Sequence, residues 1–195
     1  MQGTGVIVLV GLLYIVFFGG LSLLRREGLS LRFALESLLI TGVAALISLA
    51  GYTIHPALFL LILYVLTMRG RILTEAANIL AKQGKFDAAD RLYAWALRLW
   101  PDPSTRHIIH INQATSLIKR GDLDRAIEQL LAVLGDPEYL GVKYEAAAHY
   151  NLGIAYLRKE MHARAVVELN AAIDVWPVSE YARYARIVLK KHREE

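Results

Sequence analysis

The chain has 195 residues, of which 55% are hydrophobic and only 21% are charged. This composition excludes a disordered chain and is too apolar for one ordinary soluble domain, so we expect a membrane portion. The formal net charge is +4, but basic and acidic residues are mixed along the chain, and we expect no nucleic-acid partner. The absence of cysteine excludes disulfides, thiolate metal sites and cysteine catalysis.

The first apolar run predicts a transmembrane helix over residues 6–24. This stretch carries no charge, and at about 1.5 Å per residue it is roughly 28 Å long, close to the hydrocarbon thickness of a bilayer. No basic side chain precedes it, and it is longer than the apolar core of an ordinary signal peptide. We therefore expect a span rather than a cleaved leader.

Two further apolar runs, 33–51 and 54–68, predict a second and a third transmembrane helix joined by a short turn. Pro56 suits the first turn of a helix, where its missing N–H would have no intrahelical partner. The third run is short for a full span, so a re-entrant hairpin is the alternative.

The arginines predict the orientation of these helices, because basic residues in short loops are retained on the cytoplasmic side. Arg25, Arg26 and Arg32 follow the first run, and Arg69 and Arg71 follow the third. Three spans with the N-terminus outside bring both clusters inside. The rest of the chain is then expected to be cytoplasmic.

Glu36 is a carboxylate within the second apolar run. Such a residue can mark an ion or proton path. However, it lies about one turn from the start of the run, roughly 5 Å deep, so it can reach the headgroups or Arg32. We favour this interfacial placement.

A stripe of small residues also follows the second run at helical spacing. Such a stripe lets helices approach closely in lipid, and we expect it to pack within this chain rather than against another membrane subunit. Its members are Thr41, Ala44, Ala45, Ser48 and Gly51.

Three similar segments occupy the rest of the chain: Leu73 to Pro101, His110 to Pro137 and His149 to Pro177. Each has a turn position, then a small residue, then a larger residue four positions further on the same helix face. The turn positions are Gly84, Gly121 and Glu160, and the pairs are Ala89 with Tyr93, Ala126 with Leu130, and Ala165 with Leu169.

This pattern resembles the tetratricopeptide repeat, with its W-x2-L-G-x2-Y, A-x3-F and P signature. The third segment is the most similar, through its Leu152-Gly153-Ile154-Ala155-Tyr156 sequence. The resemblance implies a tetratricopeptide-like α-solenoid (residues 70–195) with a C-terminal capping helix. With the N-terminal transmembrane helices predicted from the apolar runs (residues 1–69), we expect an all-α protein. The expected repeats are 70–103, 107–140 and 146–179, and the expected capping helix is 180–193.

The repeat register predicts which side chains face the concave side of such a solenoid. There they would form an apolar and aromatic groove for a helical or extended apolar segment of a partner protein; the alternative is that they only pack between repeats. The predicted groove residues are Thr74, Asn78, Ile108, Ile111, Asn112, Thr115, Tyr150, Asn151, Ile154, Tyr181 and Tyr184.

Nothing in the sequence indicates catalysis or a cofactor. It contains no nucleophile elbow and no glycine loop that would hold phosphate. His107, His110 and His149 are candidate metal ligands, but no acidic residue completes the H-E-x-x-H spacing, so we expect no metal and no enzyme.

These features together predict a membrane-anchored interaction scaffold or assembly factor. Its partners would be a protein segment, the lipid bilayer and other subunits of a membrane complex. Bacterial membrane proteins that join spans to such repeats are similar, so we expect a multi-pass protein of a prokaryotic inner or plasma membrane. The alternative function is an accessory subunit of a transporter or channel.

Overall fold

The structure, a computed structural model, describes residues 2–24, 31–136 and 140–194. These residues form ten α-helices and no strand, which confirms the all-α class. Arg25, Arg26 and Pro137 lie outside the described residues. In chain order the helices are α1 (Gln2–Leu24), α2 (Leu31–Leu49), α3 (Pro56–Thr67), α4 (Arg69–Lys82), α5 (Phe86–Arg98), α6 (Pro103–Arg120), α7 (Leu123–Leu134), α8 (Val142–Arg158), α9 (His162–Val175) and α10 (Glu180–Glu194).

Helices α1, α2 and α3 form the N-terminal bundle. By length and composition, α1 and α2 could each cross a membrane. Helix α3 has only 12 residues and is long enough for a span only together with α4, to which it is bent by 71°. Pro56 lies in the first turn of α3, as predicted. The helix is shorter than the span predicted over 54–68, because the chain turns at Met68 into α4.

Gly11 of α1 lies in close contact with Thr41 of α2 within the N-terminal bundle. A Cβ atom on Gly11 would lie 2.3 Å from Thr41 Oγ1, so only glycine fits there. Further along the same contact, the hydroxyls of Thr4 and Ser48 are 2.9 Å apart. Thr41 and Ser48 of the predicted stripe thus contact α1 of the same chain, whereas Gly51 lies in the turn after α2 and is exposed.

Helices α4 to α9 form three helical hairpins, and α10 packs on α9 and α8. The three alanines predicted to allow close helix contact, Ala89, Ala126 and Ala165, are all 0% exposed. The larger residues four positions later are buried too. Because one hairpin cannot cover this apolar face, neighbouring hairpins stack and bury it.

The turn inside each hairpin requires a left-handed backbone. Gly84 and Gly121 have φ values of +76° and +95°, and Glu160 has the same handedness with φ +58°. Glycine adopts this conformation without steric strain, whereas a residue with a Cβ does not. The third hairpin therefore holds a strained residue where the first two hold glycine.

The second hairpin begins earlier than residue 107, because Asp102 and Pro103 together start a helix. The Asp102 carboxylate accepts a hydrogen bond from the Thr105 backbone N–H at 3.2 Å, and Pro103 lies in the first turn. Aspartate is preferred as the N-cap because its side-chain oxygen can accept from a backbone N–H that has no partner in the helix. Proline is preferred in the first turn because it has no backbone N–H that needs a partner.

Candidate partner-binding groove

A cavity of about 1030 Å³ lies between the N-terminal bundle and the concave side of the repeats. We call it the junction cavity. Its lining comes from the end of α1, the start of α2, the end of α3, much of α4, the link between α5 and α6, the N-terminal part of α6, and the first turns of α8 and α10. The groove of the repeats is therefore closed on one side by the N-terminal bundle.

Four of the predicted groove residues line the junction cavity: Thr74, Ile108, Asn112 and Tyr181. Thr74 and Ile108 are almost fully buried, whereas Asn112 and Tyr181 are half-buried. Asn112 donates its Nδ2 hydrogen bond to the Ile108 carbonyl at 2.8 Å, one turn earlier in α6. Of these four residues, Asn112 therefore presents an accessible amide to the cavity and Tyr181 presents an accessible aromatic ring.

Other predicted groove residues already have contacts inside the repeats. Ile111 is only 5% exposed and belongs to the core shared by the second and third hairpins. Thr115 Oγ1 donates to the Ile111 carbonyl at 2.9 Å. Asn78 accepts a hydrogen bond from the Tyr93 hydroxyl at 2.6 Å, and Ile154 packs on the same core as Ile111.

A cluster of three tyrosines joins α8 to α10. The ring of Tyr150 lies 6.0 Å from that of Tyr181 and 6.1 Å from that of Tyr184, which is 40% exposed. Burial raises the pKa of Tyr150 and of Tyr181, so both hydroxyls keep their protons at neutral pH. Asn151, next to Tyr150 in α8, is half-buried.

Sequence reasoning missed several side chains of the junction cavity. The repeat register could not find them, because they lie in the N-terminal bundle, in the link between α5 and α6, or in the first turns of helices. They are Phe17, Phe18, Arg32, Glu36, Arg69, Trp100, Lys143 and Tyr144.

Arg69 connects the N-terminal bundle to the first hairpin. Its Nη1 donates to Glu36 Oε2 at 2.8 Å, and its Nε donates to the Leu99 carbonyl at 3.2 Å. Arg32 Nε donates to Glu36 Oε1 at 2.9 Å, which is the contact with Arg32 expected from the sequence. Arg69 is a second partner of the same carboxylate. Both carboxylate oxygens of Glu36 are therefore used in ion pairs.

The three histidines considered as metal ligands each contact a different partner. His110 is within hydrogen-bond distance of Gln129, and His149 Nδ1 lies 2.7 Å from Glu168 Oε2. The two contacts are equivalent, because each joins the first and second helix of its own hairpin. His107 Nε2 lies 3.1 Å from Asp136 Oδ2. Among the described residues, no group of three His, Asp or Glu side chains is arranged to hold a metal ion.

Comparison with known proteins identifies the repeats. The family model described as tetratricopeptide repeat matches residues 74–106 and 111–180, which is more than half of the chain. No curated protein and no solved structure matched the chain. Repeats of this family form protein-interaction modules and are generally not enzymes. Since the matched residues include most of the three hairpins and reach the first residue of α10, the chain belongs to the tetratricopeptide-repeat family.

Proposed function

We propose that this protein is a membrane-anchored scaffold or assembly factor, whose repeats hold a segment of a partner protein at the cytoplasmic membrane surface. The observation that carries the proposal is the junction cavity, which is bounded by both the N-terminal bundle and the concave side of the repeats. A segment bound there would be held beside the bilayer. A concave, partly apolar surface with a few polar groups suits such a ligand.

The surface of the N-terminal bundle supports a membrane location. Leu13, Val16 and Leu39 are 58%, 71% and 69% exposed, and many other large apolar side chains of α1 and α2 are exposed as well. An apolar surface of this extent is disfavoured in water, and contact with lipid would remove it from water. We propose residues 1–69 as the anchor and residues 70–195 as the repeat domain.

The ion pairs of Glu36 support the proposed topology. Arg32, near the start of α2, and Arg69, just after α3, both bind Glu36. The start of α2 and the end of α3 therefore lie on the same side of the bundle. This agrees with a topology that keeps the basic clusters inside, with the N-terminus outside and the repeats cytoplasmic, whether α2 and α3 form two spans or a re-entrant hairpin.

The alternative function, an accessory subunit of a transporter or channel, receives less support. In that role Glu36 would act on an ion, but its carboxylate is already bound by Arg32 and Arg69. Thr41 and Ser48 of α2 contact α1 of the same chain.

The groove is tested by a matched pair of substitutions, Asn112→Arg and Asn170→Arg. Each asparagine donates to the carbonyl one turn earlier in its own helix, at 2.8 Å, but Asn112 lines the junction cavity whereas Asn170 is exposed on α9. The full chain is purified in mild detergent, and bound proteins are quantified by mass spectrometry. We expect Asn112→Arg to lower recovery of a specific partner about tenfold or more, and Asn170→Arg to leave it unchanged, with equal melting temperatures.

Equal partner recovery by the two variants would show that the junction cavity is not the binding site. The topology needs a separate test, in which a reporter active only in the cytoplasm is fused after Glu195. Activity is expected from this fusion. Silence, together with activity of a reporter that works only outside, would reverse the topology.

A further inference from the structure

Trp100 has an unusual position in the link between α5 and α6. Its side chain is 76% exposed, although tryptophan is usually well buried. Its backbone has φ +48°, in the left-handed region that a bulky residue rarely adopts. The packing of the repeats does not explain why a large aromatic side chain is held out at this point.

Hydrogen bonds place Trp100 close to the N-terminal bundle. The carbonyl of the preceding residue, Leu99, accepts from Arg69 Nε, while the same guanidinium is paired with Glu36 of α2. Glu36 and Arg69 lie at the end of the bundle where, in the proposed anchor, the chain leaves the bilayer. Trp100 therefore follows a residue that is attached to this boundary.

The junction cavity also brings Trp100 near the inner end of α1. Trp100 lines this cavity together with Phe17, Phe18 and Leu21, which belong to the last two turns of α1. These three residues lie within the first predicted span, near its inner end. In the proposed anchor the Arg69–Glu36 pair marks the membrane boundary, so an exposed indole attached beside it is within reach of the headgroups.

The segment that carries Trp100 is held firmly against α4. A Cβ atom on Gly70 would lie 3.1 Å from Thr105 Cγ2 and 3.7 Å from Pro101 Cβ. The start of α4 thus approaches the residues that follow Trp100 as closely as glycine allows. Because α4 follows directly from the N-terminal bundle, the position of Trp100 relative to the bundle is fixed by packing.

We propose that the indole of Trp100 inserts into the headgroup region of the bilayer and fixes the orientation of the repeat domain on the membrane surface. Tryptophan prefers this region because its ring is apolar while its N–H can donate a hydrogen bond to the lipid headgroups. The ligand of this site is the lipid surface itself. The inference rests on the proposed function to the extent that residues 1–69 must be inserted in the membrane.

The test uses the fluorescence of single-tryptophan forms of the full chain in phosphatidylcholine vesicles. Trp95→Phe with Trp176→Phe leaves Trp100 as the reporter. The control replaces all three tryptophans by phenylalanine and adds Lys85→Trp. Lys85 is exposed and follows α4, whose 14 residues extend about 21 Å from Arg69. Because α4 is bent by 71° from α3, position 85 is displaced mainly sideways from the Arg69–Glu36 pair to which Trp100 is attached. Vesicles contain lipids brominated either near the headgroup or near the end of the acyl chain.

We expect lipids brominated near the headgroup to quench Trp100 several-fold more strongly than lipids brominated near the chain end, and several-fold more strongly than they quench the tryptophan at position 85. Equal quenching of the two reporters would overturn the insertion of Trp100, and the scaffold proposal would stand if the chain still floats with the vesicles. A chain that does not float with the vesicles would instead overturn the proposed anchor, and the insertion of Trp100 with it.

Discussion

Arg69 and Glu36 form a two-point ion pair that joins the first hairpin of the repeats to helix α2. Arg69 Nη1 and Nη2 donate to the two carboxylate oxygens at 2.8 and 3.2 Å. The side chains are 29% and 27% exposed, so solvent screens them only in part. Paired hydrogen bonds between charged groups are stronger than single neutral ones and fix the geometry of both partners. The orientation of α4 relative to α2 therefore depends on this contact.

Replacing Glu36 should weaken that connection. Glu36→Gln keeps the shape of the side chain but removes its charge, and we expect a loss of about 1–2 kcal/mol in the unfolding free energy of the full chain in detergent micelles. The control is Arg32→Gln, since Arg32 binds the same carboxylate but is 43% exposed and joins residues of one helix. It should cost less than about 0.5 kcal/mol. Equal losses in thermal unfolding would mean that Arg69 does not stabilise the junction.

Ala126→Leu should destabilise the middle hairpin. Ala126 is 0% exposed, and three extra heavy atoms in a packed contact cost about 1–3 kcal/mol. Ala132→Leu is the matched control, because Ala132 lies in the same helix, α7, and is exposed. Urea unfolding of both variants checks the prediction. Equal midpoints would show that α7 does not pack closely at Ala126.

The left-handed turns predict opposite effects for two substitutions. Gly121→Ala places a Cβ at φ +95° and should lower the unfolding free energy by about 1–2 kcal/mol. Glu160→Gly relieves the backbone strain at φ +58°, but glycine also gives the unfolded chain more conformational freedom. We therefore expect the unfolding free energy to stay the same or to rise by up to about 1 kcal/mol. Thermal melting of the two variants is the measurement. A clear loss of stability in Glu160→Gly would contradict the strain argument.

Gly11→Ala should separate α1 from α2. The new Cβ would lie 2.3 Å from Thr41 Oγ1, whose hydroxyl donates to the Ser37 carbonyl inside the bundle. We expect a loss of about 1–3 kcal/mol, measured by thermal unfolding of the full chain in detergent. Gly5→Ala is the control, since nothing lies within 4 Å of its Cβ position. Adding Thr41→Ala to Gly11→Ala should restore part of the loss, and no rescue would place the clash elsewhere.

The stability of the repeats should fall as the pH decreases through the usual range of histidine. Burial, with smaller contributions from His107 and Arg106, lowers the pKa of His110, so the unfolded chain takes up this proton more readily than the folded one. The contribution of neutral His110 to the unfolding free energy is therefore fully present above about pH 6.5 and is lost as the pH falls below this value. His110→Asn cannot titrate and should show a shallower decrease between about pH 7 and 5 in thermal melts. Parallel curves for the two proteins would exclude His110 as a source of the pH dependence.

The helical class, the repeats and their close contacts could be predicted from the sequence. The apolar runs, the turn positions such as Gly121 and the buried alanines such as Ala126 reflect local backbone geometry and contacts within one hairpin. These contacts involve residues close in the chain, so their spacing predicts them. The start of α6 at Pro103 also has a local signal, the Asp102 cap, which the repeat register did not use.

The candidate site depended on the tertiary structure. The register predicted Thr74, Ile108, Asn112 and Tyr181 as groove residues, and they line the junction cavity. The burial of Ile111 and the hydrogen bond between Asn78 and Tyr93 follow from how successive helices stack.

By itself, the sequence determined an apolar N-terminal third and three tetratricopeptide units, because these depend on composition and on short-range periodicity. The tertiary structure alone decided that the concave side of the repeats meets the N-terminal bundle in one cavity. That arrangement follows from the 71° bend between α3 and α4 and from the pairing of Arg69 with Glu36, 33 residues away. No local spacing specifies a bend angle or a contact over that distance, because many chain paths satisfy the same helix pattern and only the packing of the whole molecule selects one.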